Sequence, residues 1–172
     1  MGSEMCIRDR SIFDEEGTLL NRSWALNEAS VENQNRSGVL DAILEVDRRP
    51  VSSFGCDGVL ISTPTGSTAY AFSAGGPVLW PSLDAILVVP NNAHALFTKP
   101  LVVSPNSLVA VESTMRTTPA TVILDGFREF AMPAGARVEV VRGERPVRWV
   151  RLDDQPFTCL LYTSPSPRDG LL

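Results

Sequence analysis

Beyond residue 38 the apolar positions of the chain fall in short runs, each closed by turn-forming residues, a rhythm that belongs to strands rather than helices. The pattern predicts a strand over 39–46, turned by Asp47-Arg48-Arg49-Pro50 into a second over 51–54, which together make a hairpin. The run 59–61 is apolar and partly β-branched, as a buried strand is; Pro64 and Gly66 break it, and a helix is predicted to begin near Ala69 and run to 74. Strands follow over 85–89 and 108–112. The segments 121–124 and 129–132 flank Asp125-Gly126, a short-turn signal that Phe127 and Arg128 lengthen. Strands over 138–141 and 147–152 close the series, with no repeat of 20 to 50 residues. Many short strands with one or two short helices predict a mainly β, antiparallel domain of packed sheets.

Composition narrows the class. With 44% apolar residues in 172 and a mean hydropathy of +0.05, the chain can bury the core of one ordinary domain. No apolar run approaches the roughly 20 residues that span a bilayer, and the opening segment lacks the apolar stretch of a signal peptide, so a cytoplasmic protein without a membrane partner is the default. A net charge of −5 argues against a general nucleic-acid binder. Three cysteines and one histidine, His94, leave no disulfide framework and no cysteine or histidine metal cluster, so no metal ligands are assigned. Cys56 is expected to be a buried small residue, and His94 to be structural.

The candidate chemistry lies in the run DGVLISTPTGSTAY from Asp57 to Tyr70, where an apolar strand feeds into a turn dense in hydroxyls and short of bulk. Ser67 or Thr68 is expected to cap the following helix, whose first backbone N–H groups, with the hydroxyls around them, suit a polyoxygenated or phosphorylated ligand. Taken alone, the same run also reads as a tight strand-to-helix connection whose hydroxyls serve only as caps.

This run, continued by Ser73-Ala74-Gly75-Gly76-Pro77, resembles the signature of the NAD kinase family. Asn27-Glu28 within Trp24-Ala25-Leu26-Asn27-Glu28 is similar to that family's Asn-Glu pair, and the segment VVPNNAHAL from Val88, with Lys99-Pro100-Leu101, is similar to its next segment. The resemblance covers roughly 23–158 and is nearest the actinobacterial branch. It implies a β-sandwich-like C-terminal domain, and expects 11–158 to be that NAD-binding domain. The run MGSEMCIRDR over 1–10 and CLLYTSPSPRDGLL over 159–172 do not continue the family pattern; both are expected to be translated adapter sequence.

The resemblance further implies that Asn27 and Glu28 hold the adenosine part of NAD, that Asp57 contacts NAD, and that Thr68, Ala69, Tyr70, Ala71, Phe72 and Ser73 line the dinucleotide site. Chemistry is compatible: the Asn27 amide donates and accepts, the two carboxylates accept from ribose hydroxyls, and Tyr70 can stack or hydrogen-bond. Phe72 is the weakest of these, since an aromatic there is more often core. Without the resemblance, Asn27 would be a turn or cap residue, Glu28 solvated, and Asp57 part of an Asp-Gly turn. Gly75-Gly76-Pro77 is expected to end the helix. After Asp125-Gly126 many members carry a Gln that approaches the ligand; Phe127-Arg128 stands here instead, and that contact is not carried over, with Arg128 left open as its partial replacement.

For a whole family member the resemblance implies transfer of the terminal phosphoryl of ATP, or of inorganic polyphosphate, to the 2′-hydroxyl of NAD's adenosine ribose. Mg2+ or another divalent cation would accompany the donor, in a homodimer or homotetramer. The Gly-Gly-Asp-Gly-Thr loop credited with the catalytic base does not occur in this chain, so no catalytic residue is assigned and the chain alone is expected to be inactive. The alternatives are a non-catalytic dinucleotide-binding module and a lipid-kinase-like acceptor domain, which would need a more apolar pocket.

Overall fold

The structure, a computed structural model, describes residues 2–5, 8–34, 38–94, 99–114 and 119–150, with side chains between 9 and 148. The strands are β1 (Gly2–Met5), β2 (Arg8–Phe13), β3 (Leu19–Ala25), β4 (Glu28–Asn33), β5 (Leu40–Val46), β6 (Arg49–Cys56), β7 (Gly58–Ser62), β8 (Ile86–Asn91), β9 (Leu101–Val103), β10 (Val109–Ser113), β11 (Ala120–Leu124), β12 (Arg128–Met132), β13 (Arg137–Arg142) and β14 (Val147–Val150). Two six-stranded sheets form, in the orders β3-β2-β13-β10-β5-β6 and β12-β11-β4-β7-β8-β9, and β1 pairs with β14 alone. Every pairing is antiparallel.

Side chains of a strand point alternately to its two faces, and the sequence uses that alternation to stack the sheets. Ala29 and Val31 of β4, Val59 and Ile61 of β7, Ile86 and Val88 of β8, and Val122 and Leu124 of β11 face Ile12, Ala42, Leu44, Val109, Val111, Val138 and Val140 of the first sheet in one buried cluster. This is a β-sandwich, as the fold class predicts. The outward face of the second sheet is also partly apolar: Leu60, Leu87 and Val89 pack under Ala71, Leu79 and Ala85. Full burial of a Val or Leu side chain is worth about 1.5–3 kcal/mol, so this small cluster pins the segment between β7 and β8 across the sheet.

The hairpin expected around Asp47 forms more tightly than the sequence suggests. Asp47 and Arg48 both adopt left-handed φ values, 52° and 63°, and make a two-residue turn of the kind that matches strand twist, so β6 starts at Arg49. Pro50 is tolerated because β6 is an edge strand. The strand predicted to end at 152 is described only as far as Val150, and residues 151–172 lie outside the described residues, as do Ala95 and Leu96 of the VVPNNAHAL segment. Residues 8–10, placed by sequence in the leader, belong to β2, where Arg10 is wholly buried with its guanidinium 4.1 Å from the Phe130 ring centre.

The helix differs most from expectation. It comprises Tyr70–Ser73, one turn, preceded by a 3-10 turn over Thr65–Thr68. Its first flanking residue is Ala69, which has no capping side chain. Ser67 cannot cap because its hydroxyl is buried and already used: it donates to Pro64 O at 2.6 Å and accepts from Leu79 N at 2.9 Å. Gly75 at φ 87° and Gly76, whose N–H donates to Ala71 O at 2.8 Å, end the helix as predicted.

Candidate functional site

The turn Leu26-Asn27, which joins β3 to β4, is where the two motifs meet. The Asn27 carbonyl accepts from Thr63 N at 2.9 Å and from Ser62 Oγ at 3.1 Å. The Thr63 hydroxyl donates to Leu26 O at 2.7 Å and accepts from Gly66 N at 3.0 Å. Gly66 lies so near that a Cβ there would collide with the Asn27 carbonyl and come within 2.6 Å of Ser62 Oγ. The glycine is therefore required by close approach, its positive-φ freedom being unused. Ser62 and Thr63, which sequence reasoning treated only as members of a hydroxyl-rich run, tie the loop to the Asn27 backbone.

From that junction a polar strip runs along the outward face of the second sheet. Glu28, Ser30 and Glu32 alternate with the core residues of β4, and Ser30 Oγ donates to Glu32 Oε1 at 2.8 Å. Glu28 is only 5% exposed and its Oε2 has no hydrogen-bond partner. Burial, reinforced by the charge of Asp125, pushes its carboxyl up to about 7. The Tyr70 hydroxyl accepts from Asn91 Nδ2 at 3.4 Å and is raised above the usual phenol range by burial and by Glu32, Asp57 and Glu28. Asp57, exposed at the crossing from β6 to β7, accepts from Asn92 Nδ2 at 2.7 Å. Its backbone N–H donates to Asn91 O and its carbonyl accepts from Asn33 N.

Glu28, Tyr70 and Asp57 thus share one side of the second sheet, with the Asn27 backbone held at the end of that strip. The remaining candidates sit less simply. Thr68 is exposed, its hydroxyl donating to Thr65 O at 3.3 Å. Ala71 is buried with its methyl in the outer apolar cluster, so it offers a ligand only backbone. Phe72 is 58% exposed, against the expectation that an aromatic there joins the core. Ser73 ends the helix, whereas Ala69 at φ −98° and ψ −130° lies outside it, so the two do not share a helical face. The supply of bare N–H groups is also smaller than expected, since Gly66, Ser67, Ala69 and Phe72 spend theirs within the loop. His94 is exposed and bridges to Gly55 through its backbone N–H at 2.8 Å.

Two further residues lie against the Leu26-Asn27 turn; sequence reasoning leaves Asp125 as a turn residue and Arg128 open only as a partial replacement for the family's Gln. Asp125, at the tip of the β11–β12 hairpin with φ 51°, accepts from Leu26 N at 2.9 Å and from Asn27 N at 2.7 Å. Arg128 donates to Asp125 Oδ2 at 2.6 Å and stacks between the rings of Trp24 and Phe127, 4.7 and 5.2 Å from their centres. With Leu26 and Asn27 these side chains line an open cavity of about 450 Å³. The Asp125-Gly126 string signalled a turn, and the turn is there; nothing local signalled that its carboxylate reaches back about a hundred residues. Among the described residues no group of three or more His, Cys, Asp or Glu could hold a metal ion. Burial pushes the Cys56 thiol up to about 12, and Cys56 donates to Leu40 O, an inert core position.

Comparison with known proteins gives the same family from three directions. The ATP-NAD kinase C-terminal domain matches residues 26–152. NAD kinase of Corynebacterium diphtheriae is 72% identical over 155 residues, which cover 90% of this chain and 49% of that protein. NAD kinase of Corynebacterium glutamicum is 76% identical over 147 residues, covering 86% and 50%. The chain spans about half the length of the curated relatives it matches. Among solved structures, yeast NADH kinase complexed with NADH superposes with a TM-score of 0.85 at 20% identity over 95% of this chain and 51% of that one, a likeness of fold. An NAD kinase from Archaeoglobus fulgidus in complex with ATP superposes at 0.71 with 29% identity, covering 87% and 55%.

Proposed function

Since the chain belongs to the NAD kinase family through its ATP-NAD kinase C-terminal domain, we propose that it is the acceptor-binding half of an enzyme that phosphorylates the 2′-hydroxyl of NAD's adenosine ribose. The observation that carries this reading is the Asn27 carbonyl seated in the Thr63–Gly66 cradle, which joins the Asn-Glu pair and the hydroxyl-rich loop into one surface. The Glu28 carboxyl, buried with an unpaired oxygen, gains most from a ligand hydroxyl that donates to it. Asn27 supplies an amide beside it. Tyr70 supplies a ring face and hydroxyl, and Thr68, Ala69, Ala71, Phe72 and Ser73 border it. Asp57 lies at the far end of the strip, where a contact to NAD within one subunit or across to a neighbour in a homodimer or homotetramer is open to it.

In this reading the chain contributes positioning, which is a large share of phosphoryl-transfer catalysis. It fixes the ribose and turns one hydroxyl toward a base and a donor, ATP or polyphosphate, held by the other half of the full-length protein. The residues described here do not fit a divalent cation, having no carboxylate cluster for one, so Mg2+ is assigned to the donor and no step is derived through it. The unit is residues 11–158 together with residues 8–10, which belong to β2, working in the cytoplasm. The test is an in-frame fusion to the N-terminal half of the Corynebacterium glutamicum relative: the fusion is expected to form NADP from NAD and ATP, and the 172-residue chain alone to form none. A folded fusion that binds NAD without phosphorylating it would leave a non-catalytic binding module; NADP formation by the chain alone would contradict the division of labour.

A further inference from the structure

We propose that Asp125 is a positioning residue for the acceptor site: from the tip of a distant hairpin it holds the Leu26-Asn27 turn in the one geometry that presents Asn27 and Glu28 together. The inference rests on the reading of the site given above. Asp125 receives both N–H groups of the turn, Leu26 N at 2.9 and 3.1 Å and Asn27 N at 2.7 Å, and its own N–H donates to Glu28 O at 3.0 Å. Consecutive N–H groups that converge on one carboxylate form charge-assisted bonds, stronger than neutral ones and more demanding in direction. With its amides so held, the turn directs the Asn27 carbonyl into the Thr63–Gly66 cradle on its other side. The turn is thus clamped between two loops, one on each side of β4 in the sheet.

The carboxylate is itself fixed. Arg128 closes an ion pair with it at 2.6 Å, with 25% and 10% side-chain exposure, and the guanidinium is stacked between Trp24 and Phe127. Asp125 also sits at φ 51°, a conformation Asp tolerates better than most residues. Removing only its charge therefore leaves the hairpin able to form while loosening the turn. The molecule provides an internal comparison in Asp47, another turn Asp at positive φ, whose carboxylate accepts from Leu108 N at 2.9 Å and Ser107 Oγ at 3.1 Å. Asp47 makes the same kind of clamp far from the strip, so a merely structural role is represented by it.

The experiment compares Asp125→Asn, Arg128→Gln and Asp47→Asn in the 172-residue chain by amide hydrogen exchange, by carboxyl-carbon NMR titration of Glu28, and by NAD titration followed by NMR. Asp125→Asn is expected to lose about tenfold or more of the exchange protection at Leu26 and Asn27 and to weaken NAD binding about tenfold. It should also lower the Glu28 midpoint, because a negative neighbour has gone. Arg128→Gln is expected to move exchange and NAD affinity the same way by less. Asp47→Asn should lower global stability with NAD affinity and the Glu28 midpoint unchanged. Unaltered protection at Leu26 and Asn27 in Asp125→Asn, or equal loss of NAD affinity in Asp47→Asn, overturns the proposal. If the unsubstituted chain shows no NAD response, the reading of the site fails, and the loss of affinity that defines a positioning role fails with it; the exchange and titration results still decide by themselves whether Asp125 holds the turn.

Discussion

Glu28→Gln offers the sharpest measure of what the site costs the fold. The side chain is 5% exposed, one oxygen has no partner, and its pKa rises from the ordinary 4.5 to about 7. A folded-state pKa above the unfolded one means that the native protein binds more protons than the unfolded chain between those values, so stability is complete below about 4.5 and is lost as pH rises toward 7. At about 1.4 kcal/mol for each tenfold change in proton affinity the loss reaches about 3 kcal/mol above neutrality. Glutamine carries no proton equilibrium, so that dependence disappears in the variant. Its amide, placed beside the same unsatisfied surroundings, adds a roughly constant offset of about 1–2 kcal/mol that does not vary with pH. The diagnostic is therefore the difference between variant and parent at two pH values, not the absolute stability at either. Urea unfolding at pH 5 and pH 8, followed by tryptophan fluorescence, should show the variant gaining about 2–3 kcal/mol relative to the parent between the two. Parallel stability curves would refute the reasoning, because they would mean that Glu28 ionises as readily in the fold as in water.

Other substitutions probe other links. Arg10→Met removes a wholly buried guanidinium whose Nε and Nη1 have no partner and whose pKa burial and Arg128 lower to about 10; the midpoint of thermal unfolding should rise, corresponding to about 1–3 kcal/mol, and a fall would mean the stack on Phe130 matters more than the orphaned charge. Gly66→Ala forces a methyl into the Asn27 carbonyl and should destabilise by about 3 kcal/mol while abolishing NAD perturbation of the Asn27 resonances; a tolerated alanine would show that loop and turn are not in contact in solution. Tyr70→Phe removes only a long bond from Asn91 at 3.4 Å on a side chain 39% exposed, so unfolding should change by under about 0.5 kcal/mol, and any larger effect should be confined to NAD affinity.

The elements that the sequence announced are those in which one residue pattern has one physical outcome. β7 is buried on both faces, Val59 and Ile61 inward and Leu60 under the loop segment, and a strand buried on both faces has to be apolar throughout. The pair β11 and β12 announced itself through Asp125-Gly126, and both residues take the positive φ that such a pair favours. By contrast β3 and β4 were missed: β3 lies at a sheet edge and carries Asn21, Arg22 and Ser23, while β4 fills its core face with only Ala29 and Val31 because its other face carries Glu28, Ser30 and Glu32. The strand that bears the proposed binding chemistry thus alternates as a half-buried strand does, but with only one alanine and one valine on its core face it has too little apolar weight to stand out in the sequence. The loop misled in the opposite sense. Its hydroxyls looked like a cap and an array for a ligand, yet Ser62, Thr63 and Ser67 are spent on protein carbonyls and amides, a use in which each has a partner more than ten residues away, Asn27, Leu26 or Leu79, that spacing cannot show. What the sequence did carry was the small size of Gly66, and the contact it permits with Asn27 is the joint between the hydroxyl-rich loop and the Leu26-Asn27 turn, on which the proposed acceptor surface depends.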